Sequence, residues 1–134
     1  MNILNGNILE IKTEGSLSLV KVTAHNCVIT SLLIDTPMRS EYLKEGNKVN
    51  VVFKETEVIL AKQLEGLISV QNKLNCIVEH VERGELLCKI TMDFQGVKLI
   101  SIITRNAFDQ LKITEKEKIV ALIKSTEVSL APNG

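Results

Sequence analysis

Lys54 and Lys124 each end a strongly apolar run, Val-Asn-Val-Val-Phe-Lys and Ile-Val-Ala-Leu-Ile-Lys. Each is followed by one polar residue and then by Thr-Glu-Val. A lysine held at the end of a strand, where the chain turns a corner, presents its ammonium beside hydroxyls and free backbone N–H groups. That mixture of donors suits a tetrahedral oxyanion, because charge-assisted hydrogen bonds are the strong ones and a turn can aim several N–H groups at one point. A solvated lysine that merely closes a strand fits the same pattern, so the residues alone leave both readings open.

Other chemistry is poorly supplied. His25 and His80 have no carboxylate or serine at a spacing that suggests a triad. A hairpin turning at Gly84 would set His80 opposite Cys88, but two ligands do not make a metal site. Cys27, Cys76 and Cys88 match neither zinc-ligand spacing nor an even disulfide framework, and read as reduced, small hydrophobic residues. No enzyme activity, cofactor or metal is therefore expected.

The chain of 134 residues has 16 Lys+Arg against 16 Asp+Glu, spread evenly over both halves, and 3% aromatic residues. A nucleic-acid partner would call for a basic face or a stacking platform, and neither is expected here. No run reaches the roughly 18 to 20 apolar residues of a membrane span, and the N-terminus lacks a cationic apolar signal. A cytoplasmic location is the expectation.

The elements that must position the lysines come from a repeat. Lys-Glu-Thr-Glu-Val-Ile-Leu-Ala at Lys54 to Ala61 returns as Lys-Ser-Thr-Glu-Val-Ser-Leu-Ala at Lys124 to Ala131, an offset of 70. Asn2 and Asn72, Leu4 and Leu74, Ser31 and Ser101, and Lys48 and Lys118 correspond at the same offset. Within each copy the apolar period is two and the apolar residues are Ile, Val and Leu, which predicts half-buried strands. They are placed at residues 3–12, 17–24, 27–34, 48–54 and 56–61, then at 73–81, 86–93, 98–104, 118–124 and 126–131. Glu14-Gly15-Ser16, His25-Asn26, Arg83-Gly84-Glu85 and Gln95-Gly96 supply the turns. A short helix is predicted between strands three and four of each copy, at Thr36 to Leu43, capped by Thr36 with Pro37 in its first turn, and at Arg105 to Leu111. The expected fold is all-β: two tandem five-stranded barrels of the oligonucleotide/oligosaccharide-binding type, residues 1–63 and 69–134, joined by a short link around Gly66. Copies this small bury little surface, so close packing of the pair and self-association into a dimer or trimer are expected.

With its Val-Ala-Leu-Ile-Lys-Ser-Thr-Glu-Val corner, its His-Val-Glu-Arg-Gly hairpin and Ser69-x-x-Asn72 at its start, the second copy resembles a Mop domain, also called a TOBE domain. The first copy resembles a diverged one. The pair is similar to the di-Mop unit of cytoplasmic molybdate-binding molbindins and of the sensor half of molybdate-responsive regulators. The resemblance implies a molybdate or tungstate site between domains or subunits, built from hydroxyls, backbone N–H groups and a lysine. It assigns Ser69, Asn72, Thr104, Lys124 and Ser125 to oxyanion binding, with Gln71 standing where the family has Arg. Ser101 belongs to the same candidate set, and in the first copy Asn2, Ser31 and Lys54 remain. Glu55 replaces Ser125 there and Ile34 replaces Thr104, which favours the second copy. The implied role is storage, homeostasis or sensing of the oxyanion. The alternative is an oligomerising or regulatory module of a transport or transcription protein with little or no oxyanion binding.

Overall fold

A computed structural model describes residues 1–133. The first repeat contributes β1 (Asn2–Glu14), β2 (Leu17–Ala24), β3 (Cys27–Leu33), β4 (Lys48–Phe53) and β5 (Ile59–Ala61). The second contributes β6 (Asn72–Arg83), β7 (Leu87–Phe94), β8 (Val97–Thr104), the helix α1 (Arg105–Leu111), β9 (Lys118–Ile123) and β10 (Ser129–Pro132). Single 3₁₀ turns at Glu55–Glu57 and Ser125–Glu127 precede the fifth strands, so these begin later than the alternation of apolar residues predicts.

Two five-stranded antiparallel sheets result, and their composition departs from the sequence repeat. One is ordered β10-β4-β1-β2-β3 and the other β5-β9-β6-β7-β8. The fifth strands are exchanged. Leu130 of β10 pairs with Val51 of β4, and Leu60 of β5 pairs with Ala121 of β9. Each repeat is thus completed by the other, which answers the shortage of core expected of such small units.

Curling is built in at the same place twice. A bulge lies between Ile8 and Glu10 in β1 and between Val78 and His80 in β6, and such an extra residue bends a strand and increases its twist. The first half of each long strand then pairs with strand four of its repeat, and the second half with strand two. Inward residues at alternate positions, among them Leu4, Val20, Val51, Leu74, Ile90 and Ile123, join one buried cluster spanning both sheets.

The β2–β3 and β7–β8 turns form as expected, with His25, Asn26, Gln95 and Gly96 all at positive φ. The β6–β7 hairpin is longer than a turn centred on Gly84. Arg83 pairs with Cys88, the Gly84 N–H donates to Leu87 O at 2.9 Å, and a Cβ on Gly84 would lie 2.5 Å from that oxygen. His80 consequently pairs with Thr91, not Cys88.

The helix expected at Thr36 to Leu43 does not form. The segment is a series of turns. Thr104, the N-cap of α1, accepts a hydrogen bond from Ala107 N–H at 3.1 Å, whereas its counterpart Ile34 has no oxygen to offer. Asp35 takes over, accepting from Thr36 N–H and Ser40 Oγ. Phe108 anchors α1 in the core at 5% exposure, while its counterpart Met38 is 98% exposed. Lys62 Nζ also donates to Leu111 O and Lys112 O at 2.8 and 3.0 Å, holding the C-terminal end of α1, and the corresponding residue of the second repeat is Pro132. No helix is long and apolar enough to cross a membrane.

Candidate functional site at the strand corners

Lys54 and Lys124 occupy equivalent backbone positions. Each has extended geometry (φ −79°, ψ 149° and φ −64°, ψ 144°), and its carbonyl accepts from the N–H three residues on, Glu57 at 3.0 Å and Glu127 at 2.9 Å. The cause is local packing. Phe53 and Ile123 before the corners, and Val58 and Val128 after them, are all buried at 1–2% exposure, so the chain must turn between them and leave the lysine outside.

Strand exchange decides what surrounds each corner. Ser31 Oγ on β3 donates to Val128 O at 2.6 Å, and Ser101 Oγ on β8 donates to Val58 O at 2.8 Å. Each buried serine is therefore aimed at the corner of the opposite repeat, with its only hydroxyl hydrogen committed to a carbonyl. Asn2 and Asn72 are likewise buried and bridge repeats. Asn72 Nδ2 donates to Thr30 O and its Oδ1 accepts from Thr30 N–H, both at 2.8 Å, and Asn2 does the same with Ile100. Asn72 also pairs with Ile123 and Asn2 with Phe53, which sets each asparagine beside the corner lysine of its own repeat.

The expected residues therefore sort into two mixed groups. Around Lys124 stand Ser125, Asn72 and, from β3, Ser31. Around Lys54 stand Asn2 and, from β8, Ser101. Thr104 is not brought to the Lys124 corner. It lines a largely apolar groove with Thr56, Val58 and Ile59, beyond the Lys54 corner. Ser69 and Gln71 are exposed in the segment leading into β6.

Two carboxylates that the sequence reading passed over lie between the corners. Lys54, Glu57, Thr126, Glu127, Ser129 and Met1 line one cleft of about 240 Å³. Glu57 Oε1 accepts from Lys54 N–H at 3.1 Å, and the Glu57 and Glu127 side chains line the same cleft. Interaction with the Glu57 side chain raises the Glu127 carboxyl from its ordinary value, and the same interaction lowers Glu57. Glu55 is lowered by its contact with the Met1 amino group at 2.9 Å. The signal available in the sequence was the repeated Glu of Lys-x-Thr-Glu. Among the described residues no cluster of three His, Cys, Asp or Glu could hold a metal ion.

Residues 68–130 match the TOBE domain family. The second repeat is a TOBE domain. Relatives of the chain include the molybdenum import ATP-binding protein ModC of Brucella abortus (strain 2308), 31% identical over 90 residues, 66% of this chain and 25% of ModC. That of Granulibacter bethesdensis is 26% identical over 133 residues, 93% of this chain and 35% of ModC. The chain thus spans about a quarter to a third of these relatives. Among solved structures, the cytoplasmic molybdate-binding protein ModG, with molybdate bound, superposes with a TM-score of 0.90 at 21% identity, covering 98% of this chain and 96% of ModG. ModG therefore has the same fold as this chain, over essentially its whole length.

Proposed function

We propose that the chain binds molybdate or tungstate without catalysing a reaction, and serves intracellular storage, homeostasis or sensing of the oxyanion in the cytoplasm. The observation that carries this reading is the duplicated lysine corner, set by strand exchange against a serine-bearing strand of the other repeat. The TOBE match, the ModC relatives and the ModG fold support it. On this reading each curled sheet with its borrowed fifth strand acts as a small five-stranded barrel, and repeats 1–63 and 69–134 are the binding units. Lys124, Ser125, Ser69, Gln71, Asn72 and Ser31 form the better site, Lys54, Asn2, Ser101 and Thr104 the poorer one. Self-association would complete these open sites and cover Ile34 and Leu86, each 82% exposed.

Calorimetric titration of the apo protein with molybdate tests the proposal. Saturable heat is expected, and none at millimolar ligand would refute it. The alternative, a regulatory or oligomerising module with little anion binding, is favoured by the commitment of both serines and both asparagines to main-chain partners. An oligomer that forms normally but gives no heat would select it.

A further inference from the structure

The two lysine corners differ in what fills them. Lys54 N–H donates to Glu57 Oε1 at 3.1 Å, closing a capping box, and among the described residues no such bond is made at the Lys124 corner. Glu55 stands where the other corner has Ser125, and its carboxylate lies 2.9 Å from the Met1 amino group with the side chain 29% exposed. Lys89 belongs to the same corner. At the offset of 70 it corresponds to Leu19, and the two pair with equivalent residues, Lys89 with Ile102 and Leu19 with Leu32. Ile102 lines one groove with Thr56 and Val58, so the exchanged fifth strand brings the Lys54 corner up to the strand that carries Lys89, whose charge favours the ionised Glu55. Glu82 faces Lys89 from β6 and forms no ion pair with it among the described residues. A carboxylate and an ammonium thus appear together at one corner, where the other has a hydroxyl and an alkyl chain.

We infer that the Glu55 carboxylate occupies the first repeat's corner in place of an oxyanion: this corner is a site closed from within the chain, and the Lys124 corner is the one that takes ligand. The inference rests on the oxyanion reading and adds to it the number and place of the sites. A carboxylate and a tetrahedral oxyanion call for the same donors, ammonium groups and main-chain N–H groups. At the Lys54 corner Glu55 and Glu57 already engage both kinds. A carboxylate tethered one residue from Lys54 acts at an effective concentration that micromolar oxyanion does not match, and it repels an arriving dianion besides. Without that carboxylate the corner would hold two lysines, Lys54 and Lys89, one cation more than the Lys124 corner, where Leu19 and Gln71 bring none.

Calorimetric titration with molybdate tests this in wild type, Glu55→Ser, Glu55→Gln and Lys124→Ala, and in Lys124→Ala carrying Glu55→Ser with and without Lys89→Ala, folding being followed by circular dichroism. Glu55→Ser copies the residue found at the same backbone position of the second repeat, so the turn should be kept. Wild type is expected to bind at one class of site, weakened in Lys124→Ala. Glu55→Ser should bind a further molybdate ion per chain, and Glu55→Gln, which removes the charge and keeps the bulk, should gain the same site at lower affinity. In the Lys124→Ala background Glu55→Ser should restore binding, and Lys89→Ala should then weaken it about fivefold, the worth of one unit charge at about 4 Å in water. Binding in wild type whose stoichiometry neither Glu55→Ser nor Glu55→Gln changes overturns the inference and leaves the oxyanion reading standing. No heat from wild type or any variant overturns both.

Discussion

The side chain of Asn2 and the main chain of Ile100 exchange two hydrogen bonds of 2.8 Å across 98 residues of sequence. The amide imitates one residue of a strand and satisfies an edge that would otherwise stand open at β8. Asn72 performs the same service for Thr30 on β3. Together with the exchanged fifth strands, these two amides join the repeats into one body.

Asn72→Ala is therefore expected to destabilise the fold by about 1–3 kcal/mol, the cost of leaving buried polar groups without partners. Asn72→Asp should cost more, because it sets a carboxylate against the Thr30 carbonyl. Urea denaturation curves followed by circular dichroism measure both.

The two copies of the segment after strand three should respond very differently to truncation. Phe108→Ala removes a buried ring and should cost about 3–5 kcal/mol, with loss of α1. Met38→Ala, at the equivalent position but 98% exposed, should leave stability within about 0.5 kcal/mol of wild type. Chemical denaturation of the two variants checks the contrast.

These differences mark where the sequence was readable. Period-two patterning and turn chemistry located all ten strands, and the Lys-x-Thr-Glu-Val repeat located both corners. The exchange of β5 and β10 was not legible, because alternating Ile, Leu and Ala fit the edge of either copy's strand four equally well. Without the exchange, the repeat alone places Thr104 with Lys124 and gives no sign of the serines' partners in the opposite repeat. The missing first helix was readable in principle. Ile34 cannot cap as Thr104 does, and Met38 is a poorer anchor than Phe108.

Thiol chemistry should distinguish the cysteines. Burial, followed by the charge of Asp93, pushes the Cys76 thiol up to about 12, and Cys88 is buried as well, whereas Cys27 is half-buried. An aromatic disulfide reagent at about pH 8 should label Cys27 in the native protein and all three after unfolding, since the thiolate is the reacting species. Rapid native labelling of Cys76, read by peptide mass, would contradict this packing.

Asp35 provides a pH test of the first-repeat turn. Its carboxyl is held below its ordinary value of 3.8, first by the Ser40 hydroxyl and then by the Thr36 N–H. A depressed folded pKa means that the stabilisation is present above the unfolded value and is lost as pH falls through the folded one. Ser40→Ala should move the Asp35 titration midpoint, followed by NMR, upward toward 3.8. It should loosen the turn at neutral pH and change nothing once the carboxyl is protonated.

Lys124→Ala is expected to weaken molybdate binding more than Lys54→Ala. Both lysines have the same backbone setting, so the difference must come from their neighbours. At the Lys124 corner Ser125 replaces a carboxylate, and Asn72 brings in the end of the Ser69-x-x-Asn72 opening. At the Lys54 corner Glu57 occupies the backbone N–H, and Glu55 adds another negative charge beside it. A charge-assisted hydrogen bond to a dianion is typically worth about 1.5–3 kcal/mol, roughly tenfold to hundredfold in affinity, less where water screens it. Gln71→Arg should act oppositely, tightening binding by adding a cation in the segment that leads to Asn72. Thr104 lies toward the Lys54 side, so Thr104→Ala should compound the Lys54→Ala loss little and add to the Lys124→Ala loss independently. Calorimetry on the four single variants and the two Thr104→Ala double variants, with folding checked by circular dichroism, decides the matter: equal losses from the two lysines would show the corners to be equivalent, and no loss from either would place the anion elsewhere.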